Sequence, residues 1–162
     1  MRAALRRATG KSKIIVETRP DGDPRNIGTL LLTPHELLAT AILAEIGRRG
    51  FIGVGMAQSR VFENLVVEGP GTLSEVARRL AITKQALAPT VTRMVELGYL
   101  EIAIHPTDAR AHIVSISAKG WDVVDVANEV ITATEARWAS ALGERRWAAL
   151  RKTLIDLNAL DA

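Results

Sequence analysis

In the middle of the chain the spacing of the apolar residues changes once, from the period of a helix to that of a β-strand. This change constrains the fold more than any other feature. Thr72-Leu73-Ser74-Glu75 is a capping box, whose first and last side chains satisfy free backbone groups at a helix start. Thr83 can cap a second helix, and Gly98 can end that helix in a left-handed conformation. The tight connection Ala81-Ile82 separates the two. Two short capped helices joined by such a turn predict a helix-turn-helix.

Beyond Gly98 the pattern becomes that of β-strands. Apolar residues alternate with polar or small ones along 100–104 and again along 114–116. The residues between these two runs, 105–111, are predicted to form the turn. The sequence therefore predicts a β-hairpin directly after the second helix.

Longer helices are predicted on both sides of this unit. Thr33-Pro34-His35-Glu36 is a further capping box, with the threonine as N-cap and the proline at the first helical position, and it predicts a helix over 33–50. A short helix is predicted over about 57–67. Ser117 can cap a long helix, which Gly143 breaks before a last one. The predicted fold class is mainly α-helical with one small β-hairpin.

The composition is that of a single soluble domain. The chain has 162 residues, of which 48% are hydrophobic and 24% charged, enough for one proper core. No run approaches the roughly 18 consecutive apolar residues of a membrane span, so no membrane partner is predicted. The sequence contains no cysteine. Disulfides, thiolate metal sites and cysteine nucleophiles are therefore excluded, and a cytoplasmic location is favoured.

Positive charge is concentrated at the N-terminal end. Residues 1–34 carry seven basic and three acidic side chains, whereas the rest of the chain is nearly neutral. Turn formers at 19–24 close this segment, and residues 1–32 are interpreted as a basic, flexible arm. Such an arm can follow the phosphates of a polyanion, or it can be a solvated tail without a partner.

Two patterns resemble cofactor or metal sites but have little support. His105 and His112 can lie across the hairpin from each other, but two imidazoles without a third ligand make a poor metal site. The glycine-rich loop 50–55 contains part of a dinucleotide-binding pattern, yet Gln58 replaces its last glycine and a helix precedes it. No nucleophile elbow is present either. Neither a cofactor nor a metal nor an enzymatic activity is predicted.

Four short motifs resemble the MarR (multiple antibiotic resistance regulator) family. They are Gly98-Tyr99-Leu100-Glu101, Pro106-Thr107-Asp108-Ala109-Arg110, Ser117-Ala118-Lys119-Gly120 and Leu142-Gly143-Glu144-Arg145-Arg146-Trp147. They stand at the family's spacing for the end of the recognition helix, the wing, the start of the first long C-terminal helix and the last break between helices. The resemblance covers the chain from about Thr33 to Leu160.

The resemblance implies a homodimeric transcription regulator. A winged helix-turn-helix over 57–117 would lie between dimerisation helices over 33–50 and 118–160, all within one domain, 33–162. Family members bind pseudo-palindromic double-stranded DNA and often repress. In family members a small ligand commonly enters a cleft between the dimerisation region and the DNA-binding region and weakens DNA binding. Here the ligand is expected to be aromatic or apolar.

The second helix of the motif, over 84–97, is the predicted recognition helix. Leu87, Val91, Met94 and Leu97 share one face and should pack on the core, which turns the opposite face outward. An exposed helix of this kind lies in the major groove in such proteins, although a plain surface helix has the same pattern. The predicted DNA-contacting residues of this region are Thr83, Lys84, Gln85, Ala88, Pro89, Thr90, Thr92 and Arg93.

The residue types in this set suit particular contacts. Gln85 can form paired hydrogen bonds to adenine, and Ala88 and Pro89 offer apolar contact to a thymine methyl group. Lys84 or Arg93 can bind a phosphate or a guanine, and the threonines can donate to phosphates. Pro89 departs from helical rules, because it removes the hydrogen bond to the Gln85 carbonyl. Either the helix is kinked at Pro89 or it begins later than the predicted residue 84.

The predicted wing also departs from the family pattern, which usually carries several arginines. Here Asp108 can hold the turn and orient Arg110, which alone suits a narrow, electronegative minor groove. The same two residues can equally form a surface salt bridge of little value. The alternative function is therefore a winged-helix protein-interaction module with little or no DNA binding.

Overall fold

The structure, a computed structural model, describes residues 22–23, 25–105 and 108–160, without the side chains of 105 and 108–110. Most of the predicted basic arm lies outside the described residues. The elements in chain order are α1 (Ile27–Arg48), α2 (Met56–Glu68), β1 (Gly71–Thr72), α3 (Leu73–Arg79), α4 (Lys84–Glu96), β2 (Leu100–His105), β3 (Asp108–Ile116), α5 (Ala118–Leu142) and α6 (Glu144–Asn158). The predicted class, mainly helical with a hairpin after a helix-turn-helix, is confirmed.

The chain divides into two compact units, Met1–Glu36 and Leu37–Ala162. In the first unit the described structure is chiefly the start of α1, and here the predicted helix start was wrong. Asn26 Oδ1 accepts a hydrogen bond from the Thr29 backbone N–H at 2.9 Å, so the helix begins at Ile27. Thr33 is inside the helix, and its hydroxyl donates to the Thr29 carbonyl at 3.3 Å. Because the helix is capped earlier, at Asn26, and an apolar run follows the cap, the helix continues through Pro34. The predicted arm therefore ends before residue 27.

In the second unit the helix-turn-helix contributes to one core together with α1, α2, the sheet and α5. Helix α2 buries Val61, Phe62 and Leu65. Helix α4 buries three of the four residues of its predicted inner face, and the fourth, Leu97, is half-buried against the same cluster. The predicted inward face of the recognition helix is therefore confirmed.

The sheet has three antiparallel strands in the order β1-β3-β2. Strands β2 and β3 pair from Leu100 opposite Ile116 to His105 opposite Asp108. The predicted turn over 105–111 was therefore too long, because main-chain pairing continues past the last buried side chain. Strand β1, which pairs Gly71 with Val114, was not predicted, since two residues carry no periodicity.

The predicted caps of three helices are confirmed. Thr72 and Glu75 exchange side-chain and backbone hydrogen bonds at the start of α3, which also holds the pKa of Glu75 below its usual value. The Thr83 hydroxyl accepts from the Ala86 N–H at 3.1 Å, and Ser117 accepts from the Gly120 N–H at 3.1 Å. These side chains satisfy donors that have no partner within their own helix.

Helices α1, α3 and α4 end in the same way, with paired hydrogen bonds that close the last turn. In α4 the Gly98 and Tyr99 N–H groups donate to the Val95 and Met94 carbonyls. This is the Schellman arrangement, which needs a residue with positive φ. Gly98 supplies it with φ 78°, but at the end of α3 the position is taken by Ala81, with φ 55°. The turn of the helix-turn-helix therefore contains a strained alanine.

Replacing Ala81 by glycine is expected to stabilise the protein by about 1 kcal/mol, because the left-handed conformation costs an L side chain roughly that much. Chemical denaturation of both proteins measures the difference. The matched change Gly98→Ala creates the same strain at the end of α4 and should lower stability by about 1 kcal/mol. A destabilised Ala81→Gly variant would show that this alanine is not strained.

Helices α5 and α6 differ in how much of their surface they bury. The break at Gly143 is confirmed, and α5 buries residues along its length. No residue of α6 is buried, and Ile155 is 62% exposed. Among the helices of the described residues, α1 alone is long and apolar enough to cross a membrane by length and composition. The sequence has no run of roughly 18 consecutive apolar residues, but an average over the helix tolerates the single polar residues that interrupt its apolar run.

Candidate nucleic-acid interface

Helix α4 exposes one polar face, and most of the predicted DNA-contacting residues lie on it. The Thr83 cap makes α4 begin at Lys84, so its first turn projects from the core. The structure exposes six of the eight predicted residues: Thr83, Lys84, Gln85, Pro89, Thr92 and Arg93. Ala88 and Thr90 are half-buried at the edge of this face. We call these six exposed residues the recognition surface.

The helix is continuous through Pro89, so one of the two alternatives for this residue was wrong. Because α4 begins at Lys84, a later start is excluded. Proline has no N–H to offer the Gln85 carbonyl. Both residues are exposed, so this carbonyl can bond to solvent or to a ligand in the groove.

Arg93 of the recognition surface forms an ion pair with Glu96 that was not predicted from the sequence. Arg93 Nη1 lies 3.0 Å from Glu96 Oε2, and both side chains are 57% exposed. An exposed pair of this kind is worth about 0–1 kcal/mol, so a phosphate or a guanine can displace the carboxylate. The spacing of three residues on a helix was the available signal. Ala86, also exposed on this helix, was likewise not predicted as part of it.

The wing exposes apolar side chains on β2. The side chains of Asp108 and Arg110 lie outside the described part, and only the backbone of β3 is known there. Ile102 is 50% and Ile104 65% exposed. His112 stands opposite Ile104 in the ladder, and no group of three potential metal ligands occurs among the described residues.

The loop 50–55 packs under the recognition helix. Gly53 has φ 73°, and a Cβ there would lie 2.7 Å from Leu97 Cδ1. The Tyr99 hydroxyl donates to the Ile52 carbonyl at 2.9 Å. Burial raises the pKa of Tyr99 above its usual 10, which keeps the phenol protonated as a donor. The glycines of this loop thus permit close packing of backbone on side chains.

A cleft of about 290 Å³ lies between α2 and α3, inside the DNA-binding half of the chain. Its lining is mixed in charge and consists of Arg60, Glu63, Asn64, Val67, Glu68, Arg79 and Leu80. Arg79 is already bound to the Gly69 carbonyl at 3.0 Å. This lining is unlike the aromatic or apolar cleft that the sequence analysis expected for a ligand.

Residues 52–111 match the sequence model of the MarR family. The matched segment begins in the loop before α2 and ends inside β3, so it contains the helix-turn-helix and the tip of the hairpin. The predicted resemblance to the MarR family, a family of transcriptional regulators, is therefore confirmed for this winged-helix segment. No curated protein is significantly similar to the chain in sequence.

Solved structures share the fold over most of the chain. RV1404 from Mycobacterium tuberculosis has a TM-score of 0.69 at 24% identity, covering 83% of this chain and 91% of that one. The transcriptional repressor CouR bound to a 23-mer DNA duplex has a TM-score of 0.63 at 20% identity, covering 82% and 92%. NadR in complex with 4-hydroxyphenylacetate has a TM-score of 0.62 at 19% identity, also covering 82% and 92%. At these identities the likeness establishes the fold, and the predicted winged-helix fold is confirmed.

Proposed function

We propose that the chain is a dimeric, cytoplasmic DNA-binding regulator of transcription that acts as a repressor. The observation that carries this proposal is the recognition surface, a projecting polar and cationic helix face whose opposite side buries Leu87, Val91 and Met94 in the core. Such a face suits insertion in the major groove of double-stranded DNA. The fold shared with a DNA-bound repressor supports the same conclusion.

The residues divide into those that read bases and those that position the protein. Gln85 is placed to form paired hydrogen bonds to an adenine edge, and Pro89 to touch a thymine methyl group. Lys84 and Arg93 neutralise phosphates or bind guanine. Of the less exposed positions, Ala88 and Thr90 contribute at the edge of the groove. In the wing, Asp108 orients Arg110 toward the adjacent minor groove.

Apolar surface on the outer helices supports a dimer. Leu37 of α1 is 63% exposed, and α6 exposes Leu150, Ile155 and Leu157 while it buries none of its own residues. Large contiguous apolar patches are rare on the surfaces of monomers, so a partner surface that covers these side chains is favoured. A two-fold dimer covers them and presents two recognition helices about 34–36 Å apart, one turn of DNA, on a pseudo-palindromic site.

Glutamates in place of Leu150 and Leu157 are expected to dissociate the dimer, because buried carboxylates without partners cost several kcal/mol. Sedimentation velocity measures the fraction of dimer over a range of concentrations. Lys152→Glu is the control, since its side chain is 77% exposed and its ion pair with Asp156 is a surface pair. A wild-type protein that is monomeric at micromolar concentration contradicts the dimer.

Regulation by a small aromatic or apolar ligand completes the proposal. A relative of the same fold is known in complex with 4-hydroxyphenylacetate, an aromatic acid. For this chain, binding between the DNA-binding and dimerisation regions would favour a conformation that fits DNA less well, and this relieves repression.

The exposed Ile102 and Ile104 favour a second candidate, a protein-interaction module whose wing has exchanged charge for apolar surface. The two functions differ in their response to salt. Titration of fluorescent DNA from the chain's own promoter region, measured by anisotropy between 50 and 200 mM salt, should show sequence-selective binding that weakens by about 10³-fold or more if six or more phosphates are contacted. Absence of selective binding at low salt favours the interaction module.

A further inference from the structure

We propose that Tyr99 is a positioning residue, which couples the orientation of the recognition helix to the loop between α1 and α2 and to the start of α5. This proposal rests on the proposed function and adds the contact through which the outer helices control DNA binding. Three pieces of chain meet at this residue: loop 50–55, the C-terminal end of α4 and the N-terminal end of α5. We call this meeting point the Tyr99 clamp.

On the side of loop 50–55 and of Phe62 in α2, the clamp consists of one hydrogen bond and two ring contacts. Tyr99 follows Gly98, where α4 ends, and its side chain is completely buried. Its hydroxyl reaches the Ile52 carbonyl at 2.9 Å. The ring lies 6.4 Å from that of Phe51 and 6.2 Å from that of Phe62, distances typical of tilted and edge-to-face aromatic pairs. The polar contact therefore has a fixed direction within an apolar setting.

The α5 side of the clamp holds the last carbonyls of the recognition helix. Lys119 Nζ donates to the Leu97 carbonyl at 2.7 Å and lies 4.8 Å from the centre of the Tyr99 ring. The Ser117 hydroxyl donates to the Gly98 carbonyl at 2.6 Å, and the Ser117 N–H donates to the Tyr99 carbonyl at 3.1 Å. The C-terminal end of α4 is thus fixed to α5 at successive residues.

The clamp joins the two outer helices that lead to it. Helix α1 continues into loop 50–55 through Arg49, whose Nη2 lies 2.6 Å from Glu129 Oε2 of α5. The recognition surface lies mainly toward the other end of α4, which packs on the core through the buried Leu87. Because directional hydrogen bonds set the angle of α4 at the clamp, a change of angle there moves Lys84 and Gln85. Removing one contact should leave the fold intact but make the orientation of α4 less defined.

The variant Tyr99→Phe removes the hydroxyl alone and keeps the ring in its packing. Ser115→Ala is the matched control, since it removes a nearby hydroxyl that donates to Glu101 Oε1 at 3.2 Å and makes none of the clamp's contacts. Because the chain has no cysteine, spin labels can be placed at Ala86→Cys on α4 and Arg137→Cys on α5, both exposed. Labelled chains diluted with unlabelled ones report the distance within one chain.

Double electron–electron resonance measures the distance between the two spin labels. It should give one narrow distance distribution for the wild type and for the Ser115→Ala variant. Tyr99→Phe should broaden or shift it, while circular dichroism stays unchanged. On DNA, the ratio of affinities for the best half-site spacing and for spacings changed by one base pair should fall about three- to tenfold, the range of one hydrogen bond. If Tyr99→Phe fails to fold, Lys119→Met tests the α5 side by the same two measurements.

A distance distribution that stays as narrow in Tyr99→Phe as in the wild type overturns the proposal. The distance is measured without DNA, so the result does not depend on the proposed function. A wild-type protein that binds no DNA contradicts the proposed function alone. If the protein binds DNA but Tyr99→Phe leaves the spin-label distance distribution unchanged, only the clamp is contradicted.

Discussion

Alanine at position 120 is expected to destabilise the protein by about 3 kcal/mol or more, the range of severe overpacking. Gly120 is buried in the first turn of α5. A Cβ there would overlap the Tyr99 carbonyl oxygen and lie 2.8 Å from Ile116 Cγ2. One of these neighbours is backbone, so it cannot turn aside. The better helix propensity of alanine returns only about 1 kcal/mol.

The matched change is Gly47→Ala in α1, also a helical glycine. Nothing lies within 4 Å of a Cβ at Gly47. This variant should therefore gain about 1 kcal/mol from helix propensity alone. Urea denaturation of the three proteins compares the free energies of unfolding. Opposite signs are expected for the two glycines, and equal stability of the Gly120 variant and the wild type would refute the close packing of α5 on Tyr99.

Alanine in place of Gln85 is expected to weaken binding to the protein's own operator by about 1–3 kcal/mol, or roughly 5- to 150-fold. The loss should be confined to sites with the correct base at one position in each half-site. The reason is that a glutamine amide offers one donor and one acceptor to adenine, and the shorter side chain offers neither. Competition titrations with single-base operator variants measure this discrimination.

Lys84→Ala should behave differently from Gln85→Ala, since a phosphate contact carries no sequence information. Affinity for all sites should fall together, and the slope of log affinity against log salt should decrease by about 0.9 for each contact. Lys152→Ala on α6 loses the same charge away from the recognition surface and should leave the slope unchanged. A Gln85 variant that weakens every sequence equally would remove this residue from base reading.

Much of the fold was predictable because its helix boundaries are encoded locally. The caps at Thr72, Thr83 and Ser117 each follow from one side chain and the nearest backbone. The stops at Gly98 and Gly143 follow from the positive φ that glycine adopts without strain. These signals act within four residues and do not depend on the rest of the chain. The order of elements, and with it the family, followed from them.

The errors arose where two local signals competed or where a partner was distant. Asn26 is as good a cap as Thr33, but only Thr33 was predicted as the start of α1. Strand β1 exists only because Gly71 meets Val114, far along the chain. Likewise the length of the hairpin depends on main-chain pairing that continues after side-chain alternation has ended.

The recognition surface was largely predictable, because the outward face of α4 follows from the burial of Leu87, Val91 and Met94 at helical spacing. The electrostatics of this surface were less predictable, because the ion pair between Arg93 and Glu96 was overlooked. The Tyr99 clamp could not be predicted at all. The hydroxyl of Tyr99 and the carbonyl of Ile52 are 47 residues apart, and backbone carbonyls leave no mark in a sequence.

Hydroxyl-radical footprinting on an operator selected from random DNA tests the central claim most directly, namely that two copies of the chain place their recognition surfaces in successive turns of one duplex. The expected result is two symmetric protected patches on one side of the DNA, with centres about 10 base pairs apart, over a pseudo-palindromic sequence. A single patch, or protection without sequence preference at low salt, would contradict the account.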